Sequence, residues 1–213
     1  MYRTKTLLER LQLNSQDLFK GRRIIKTDSR INGGIYLGAF SREAIIVDDS
    51  YENSFLAKTY GALLNNFSDK NGELFFENED ELERVFNLVK VLLPYDSKTV
   101  GYLNRRFGFN NDVKVSLDFY ILNKAGICRH QALFCSYLIE KLIDDGHIEG
   151  KVSVDRNTLL NAGHAFCRYT SKNREIYILD VALNHFARLG DDRAQWLYHR
   201  RYDLDIEMGD TKF

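Results

Sequence analysis

Residues 126–143, GICRHQALFCSYLIEKLI, decide the fold that we predict for this chain. Drawn as a helix, the segment is apolar on most of its circumference, and such a helix belongs inside a core. We therefore predict a buried central helix over residues 128–143, which stops at the polar run DDG. Three strand-like runs follow, at residues 151–154, 163–170 and 175–183. A buried helix packed on antiparallel strands predicts an α+β fold.

The chain before this helix predicts a mixed helical and β extension. Leucines at helical spacing in the first twenty residues predict an amphipathic helix that stops at Gly21. The short runs RRIIKT, GIYLGAF and EAIIVDD predict a small β meander. Helical spacing returns over residues 54–67 and 79–93, and Pro94 ends the second of these helices. We expect residues 1–112 to pack on a core formed by residues 113–213.

Composition excludes several classes of protein. With 44% hydrophobic and 28% charged residues, the 213-residue chain has the make-up of a soluble globular protein. Thirty basic and thirty acidic residues cancel, so no overall charge attracts nucleic acid or anionic lipid. The sequence contains neither a secretory signal nor an apolar run long enough to span a membrane. Three cysteines, an odd number, argue for a reducing compartment, and we expect a cytoplasmic protein.

Cys128 begins the predicted central helix. Gly126 allows a tight entry, and the free N–H groups and positive dipole end of a first helical turn favour a thiolate. The same N–H groups can stabilise an oxyanion that forms beside the thiol. A buried small hydrophobic residue explains this stretch equally well, because free cysteine is among the most buried residue types. A nucleophile needs a base, so the choice depends on the histidines.

The histidines differ in their local sequence. His130 is nearest to Cys128, but two residues along a helix turn by about 200°, so we expect His130 to face away and to serve packing or hydrogen bonding. Three others occupy a polar loop, the end of a strand and a charged run: His147, His185 and His199. His164 instead begins a strand whose alternation predicts one buried face.

An antiparallel hairpin would join His164 to a carboxylate. If the strand GHAFCRYT pairs with EIYILDVAL so that Phe166 lies opposite Ile178, His164 lies opposite Asp180. Opposed residues share a face with Cβ atoms about 4.5–5.5 Å apart, and a carboxylate in an apolar run needs such a partner. A slip of one residue would separate the pair, so the prediction depends on register. Cys128, His164 and Asp180 would then supply a nucleophile, a base and a carboxylate that orients the base.

A metal site is the other interpretation of these residue types. Five side chains are possible ligands: Cys128, His130, Cys135, His164 and Cys167. Cys128 and His130 diverge on a helix, and His164 and Cys167, three residues apart on a strand, point to opposite faces. The chain also has no CxxC pair, so we expect no zinc site. We interpret Cys135 and Cys167 as core residues. The sequence has no glycine-rich phosphate loop and no dinucleotide fingerprint, so we expect no cofactor.

Together these motifs resemble the transglutaminase-like superfamily of papain-type cysteine enzymes. The family pattern is a Gly-x-Cys that opens the central helix, a small residue one turn later, a Gly-His-Ala-aromatic strand and a Leu-Asp strand. The matching residues are Gly126, Cys128, Ala132, Gly163, His164, Ala165, Phe166, Leu179 and Asp180. The resemblance covers roughly residues 113–187. Phe166 stands where tryptophan is common and Val181 where proline often follows the aspartate, so the motifs assign no subfamily.

The resemblance implies a transglutaminase-like core and thiolate attack on a carboxamide of a protein or peptide substrate. A thioester would form and pass the acyl group to an amine or to water, with a transglutaminase, deamidase or peptidase outcome left open. It implies Cys128 as nucleophile, His164 as general base and then acid, and Asp180 as the residue that orients His164. The Cys128 N–H would be one oxyanion donor; for the second, Asn123 is a candidate by proximity only.

A different class of function stays open beside the enzyme. A chain that has kept this fold without catalysis would be an interaction module, and Cys128 could then be replaced without loss of any property. The segment 156–162 before the histidine strand is either a lip of the active-site cleft or a plain exposed connection. The oligomeric state also stays open.

Overall fold

The N-terminal part of the molecule contains two small β-sheets. A computed structural model describes residues 18–38, 43–67, 78–109, 113–159, 162–191, 197–200 and 203. Strand β1 (Leu18–Phe19) pairs with β2 (Arg22–Arg23), and β3 (Gly34–Leu37) pairs antiparallel with β4 (Ala44–Val47). Strand β5 (Lys114–Ser116) adds to β4 in parallel and completes a three-stranded sheet. The three runs predicted as a meander do contain strands β2, β3 and β4, but only β3 and β4 form an antiparallel pair. Strand β2 pairs with β1 in a separate sheet, and Ile24 next to it bridges Ile35 in parallel.

The helix predicted for the first twenty residues is wrong at its end. Leu18 and Phe19 form strand β1, and the residues before them lie outside the described part of the chain. Lys20 and Gly21 both have positive φ angles, 47° and 81°. Two successive residues of this kind make the tight turn that suits the twist of a β-hairpin, so the chain folds back onto Arg22 and Arg23.

Five α-helices lie in the described residues. They are α1 (Phe55–Phe67), α2 (Asn78–Leu92), α3 (Ser97–Arg106), α4 (Leu117–Leu122) and α5 (Cys128–Asp144). Acidic residues fill the first turn of α2, where they complement the helix dipole, and Pro94 follows its end. The helices predicted over residues 54–67 and 79–93 are confirmed to within one residue. No helix among the described residues is long and apolar enough to cross a membrane.

Helix α5 is the centre of the molecule, as its sequence predicts. From Arg129 to Leu142 every residue except Lys141 is buried. One side of α5 packs against α2 and α4, and another against the C-terminal sheet. A single hydrophobic cluster joins these layers and takes residues from both parts of the chain, among them Ile25, Leu56, Leu82, Leu133 and Leu179.

The C-terminal sheet has four antiparallel strands in chain order. They are β6 (Gly150–Leu159), β7 (Ala162–Ser171), β8 (Ile176–Asp180) and β9 (His185–Arg188), with a short 3₁₀ turn, Val181–Leu183, before β9. A buried helix on an antiparallel sheet confirms the α+β class. The loop expected at residues 156–162 is wrong over residues 156–159, because these residues continue β6 and pair with β7. Pairing satisfies their backbone groups, which a loop would leave to solvent.

The pairing of β7 with β8 differs from the predicted register by two residues. Arg168, rather than Phe166, lies opposite Ile178. The cause is the turn: Ser171 N–H donates to Glu175 O at 2.8 Å, which closes a three-residue loop whose last member, Arg174, has a φ of 67°. Side chains alternate faces with a period of two, so this offset keeps the predicted faces.

Candidate active site

The start of α5 is fixed by a close backbone approach. Gly126 N–H donates to Pro94 O at 3.0 Å, and Asp96 N–H donates to Gly126 O at 2.8 Å. A Cβ atom at position 126 would lie 2.7 Å from Leu93 Cγ, so a residue with a side chain would push these segments apart. The glycine therefore has the role predicted for it, a tight entry that places Cys128 in the first turn of α5.

A buried ion pair anchors the same turn. Arg129 donates to Glu43 Oε1 from Nε at 2.9 Å and from Nη2 at 2.5 Å, and Glu43 is fully buried. Burial raises the pKa of Glu43, but hydrogen bonds from His130 and the charge of Arg129 outweigh it and lower the pKa to about 2. Glu43 is therefore ionised at neutral pH and connects the first turn of α5 to the start of β4.

His130 belongs to this anchor and faces away from Cys128, as predicted. Its Nε2 lies 3.0 Å from Glu43 Oε1, its Nδ1 accepts from Ile127 N–H at 3.1 Å, and its ring stacks on Tyr120 with centroids 4.0 Å apart. An Nδ1 that accepts a hydrogen bond is unprotonated, so the ring is neutral. Burial is the main cause that lowers the pKa of His130 to about 4.

His164 and Asp180 meet on one face of the C-terminal sheet. His164 Nε2 lies 2.5 Å from Asp180 Oδ2. In the observed register Asp180 lies two residues along the chain from the position opposite His164, so the two are diagonal neighbours rather than directly opposed. The predicted contact is thus present although the predicted pairing is not.

The Cys128 thiol completes a chain of three side chains. It is hydrogen-bonded to the His164 imidazole and to the backbone of Ala165. Cys128, His164 and Asp180, the Cys-His-Asp cluster, thus come from α5, β7 and β8. Burial raises the pKa of the thiol, but the hydrogen bonds from His164 and Ala165 outweigh burial and lower the pKa below its ordinary value.

The pKa of the His164 imidazole shifts in the opposite direction from that of the thiol. Burial lowers the pKa of His164, but the hydrogen bonds to Asp180 and to Cys128 outweigh burial and raise the pKa to about 9. The same contact therefore favours the charged form of both groups, the thiolate of Cys128 and the imidazolium of His164. A thiolate–imidazolium pair is the ionic state that an activated cysteine nucleophile needs.

Asp180 is held from three sides. Its side chain is 1% exposed and accepts hydrogen bonds from His164, from the Tyr198 hydroxyl at 2.9 Å and from Leu183 N–H at 3.2 Å. A buried carboxylate with three donors keeps one orientation. Tyr198 in this role was not predicted; the only sequence signal is an aromatic residue among charges, which predicts inward packing. Tyr198 is indeed buried.

The other two thiols are core residues, as expected. Cys135 and Cys167 are fully buried, and burial raises the pKa of both, that of Cys167 to about 12. Among the described residues, no group of three or more His, Cys, Asp or Glu side chains could hold a metal ion. Cys128 therefore differs from the other cysteines in exposure, in the direction of its pKa shift and in its partners.

The geometry also bears on the oxyanion donors. As first residue of α5, Cys128 has a backbone N–H with no acceptor in the preceding turn. The Asn123 side-chain amide donates to Phe119 O at 2.7 Å within its own helix.

No family model, curated protein or solved structure matches this chain.

Proposed function

We propose that this protein is a cysteine-dependent enzyme that transfers or hydrolyses the acyl group of a protein or peptide carboxamide through a thioester. The observation that carries the proposal is the hydrogen-bonded Cys-His-Asp cluster at the N-terminus of the central helix. The motif resemblance to transglutaminase-like enzymes supports it, and a transglutaminase-like core is part of the proposal.

The first half of the proposed reaction uses the ion pair. The Cys128 thiolate attacks the carbonyl carbon, and the oxygen takes the negative charge beside the N–H groups at the start of α5. The tetrahedral intermediate then collapses, the carbon–nitrogen bond breaks, and the His164 imidazolium gives its proton to the leaving amine or ammonia. The products are a thioester on Cys128 and a neutral imidazole.

The second half reverses these roles. His164 takes a proton from water or from a primary amine as that nucleophile attacks the thioester carbon, and the thiolate leaves. Asp180 stays ionised and keeps the imidazole aligned, since its oxygens accept from His164, Tyr198 and Leu183. Water as acceptor gives hydrolysis or deamidation, and an amine gives transfer.

Exposed apolar side chains beside the site suit an extended peptide. Tyr95, 54% exposed, forms an isolated backbone bridge with Gly126 two residues before the thiol. Leu183, equally exposed, comes from the turn that caps Asp180. Each is thus joined by a backbone contact to a segment that carries a member of the Cys-His-Asp cluster, and exposed apolar side chains at such places suit contact with a polypeptide substrate.

Capture of the thioester tests the proposal. A labelled primary amine is added to the protein in a cell lysate, and tagged polypeptides are identified by mass spectrometry with Cys128→Ala as the matched control. We expect tags that depend on Cys128: tagged glutamines indicate transfer or deamidation, and tagged new termini indicate a peptidase. If the wild type and Cys128→Ala give the same tags and the same binding partners, the protein is an interaction module and the proposal is wrong.

A further inference from the structure

The C-terminal strap, which we define as residues 197–200 together with Asp203, crosses the C-terminal sheet. Asn157 on β6 donates to Leu197 O at 2.7 Å, and Arg168 on β7 donates to Tyr198 O at 3.2 Å. Arg168 also forms an ion pair with Asp203 at 2.6 Å, and its side chain is 3% exposed. The strap is therefore attached through buried polar groups of two strands.

Arg200 holds the strap at a second place. Its guanidinium makes a bidentate contact with Asp155, at 2.6 and 2.7 Å, and contacts Ser153 Oγ at 2.7 Å. The same group reaches Asp28 in the N-terminal part, at 2.9 Å. Bidentate pairing of a guanidinium with a carboxylate is geometrically specific.

This attachment delivers the Tyr198 ring to the Cys-His-Asp cluster. The ring packs edge-on against Phe166 and is stacked with His185, each with centroids 4.9 Å apart. Its hydroxyl donates to Asp180 Oδ2, the oxygen that also faces His164 Nε2. Two donors therefore share one carboxylate oxygen.

We propose that Tyr198, delivered by the strap, is a positioning residue that fixes Asp180 and limits how strongly Asp180 binds the His164 imidazolium. A donated hydrogen bond draws negative charge on the oxygen towards the hydroxyl, so less of it acts on the imidazolium. His164 then gives up its proton more readily to the leaving group, which is what a general acid must do. This catalytic benefit rests on the proposed function; the contact with Asp180 does not.

The groups around His164 come from several elements. Cys128 faces it from α5, Asp180 from β8, and the neutral Asn157 lies opposite it on β6. Beyond Asp180, Tyr198 is stacked with His185 from β9. Of these, Tyr198 is a hydroxyl whose pKa is raised by burial and by Asp180, so it stays a neutral donor across the accessible pH range.

Titration of His164 in the full-length protein tests the proposal. Histidine ring carbons are labelled with ¹³C and followed by NMR from pH 5 to 11 in the wild type and in Tyr198→Phe, with His164→Gln to assign the signal. Tyr198→Phe keeps the ring contacts and removes only the hydroxyl, so we expect the His164 pKa to rise by roughly half a unit or more. An unchanged or lowered pKa would overturn the proposal.

A matched control separates this effect from a general loss of stability. The Tyr169 hydroxyl on β7 donates to Glu149 O at 2.7 Å, and Tyr169 is buried. Tyr169→Phe removes a comparable hydrogen bond away from the Cys-His-Asp cluster, and we expect it to leave the His164 titration unchanged. An equal shift in both variants would contradict a specific role for Tyr198.

A second variant tests the strap itself. Arg200→Gln weakens the attachment without touching Asp180, and we expect it to raise the His164 pKa. In the double variant with Tyr198→Phe, the pKa should be little higher than in Tyr198→Phe alone, because both substitutions remove the same contact. Arg200→Gln alone also carries the test if Tyr198→Phe does not fold, and no shift in it would exclude control by the strap. A shift in these variants without amine capture by Cys128 would refute the proposed function and leave the positioning role intact.

Discussion

The ionisation of Cys128 should depend on His164, and replacing His164 with alanine removes that dependence. The imidazole is the strongest of the groups that lower the pKa of the thiol, and burial opposes them. Without the imidazole, burial remains, so the pKa of Cys128 should return to its ordinary value or above it. A free thiol is only a few per cent thiolate at pH 7. If Cys128 is mostly ionised in the wild type, His164→Ala should lose about thirtyfold in alkylation rate.

The assay measures the rate of alkylation at each of the three cysteines. The protein is treated with a limiting time course of iodoacetamide between pH 5 and 9, and labelling is quantified by mass spectrometry. Because the pKa of Cys128 is lowered in the folded wild type, its rate should level off at a lower pH than in His164→Ala. In His164→Ala it should still rise through pH 9. Cys135 and Cys167, which are fully buried, should react far more slowly in both proteins.

The control is His147→Ala, at the other end of α5, which should keep the wild-type rates. Equal labelling of all three cysteines would refute selective activation of Cys128. An identical pH dependence in the wild type and in His164→Ala would refute the inference that the imidazole creates the thiolate.

Two further substitutions test the groups that hold the site. Asp180→Asn removes the charge that faces the imidazolium, so the pKa of His164, followed by NMR, should fall from about 9 towards its ordinary value; no fall would contradict the assigned cause. Glu43→Gln should lower the free energy of unfolding at pH 7 by about 3 kcal/mol, since the folded pKa of Glu43 is about 2. The contribution of Glu43 is full above pH 4.5 and is lost as the pH falls towards 2. Urea unfolding should therefore show a smaller difference in stability between the wild type and Glu43→Gln at pH 3 than at pH 7. An equal difference at both pH values would refute this assignment.

The residues of the Cys-His-Asp cluster were predictable because each carries a local signal. Cys128 follows a glycine at the start of an apolar helix, His164 begins an alternating strand, and Asp180 interrupts an apolar run. The register was not predictable in the same way. It depends on a loop that ends at Arg174 in the left-handed region, and arginine gives no sign of that conformation. The prediction of contact survived because the offset is two residues, which preserves the face.

The supporting residues were not predictable from local patterns. Glu43 precedes a short apolar strand and Tyr198 lies in a charged run, and neither position suggests its partner. Their contacts join residues far apart in the chain, from Glu43 to Arg129 and from Tyr198 to Asp180. Such pairs follow from tertiary packing, which the local patterns of a single sequence do not indicate.

The anchor at Glu43 also explains why the side chain that most lowers the pKa of the Cys128 thiol is distant from it in sequence. Arg129 is the cation next to Cys128 in sequence, but its guanidinium is paired with Glu43. Its charge lowers the pKa of the thiol less than the His164 imidazole does. Arg129 and His130 therefore fix the helix, and the imidazole beside the thiol comes from the C-terminal sheet. The contact between Cys128 and His164 forms where α5 packs against β7, so its geometry depends on how these two elements pack.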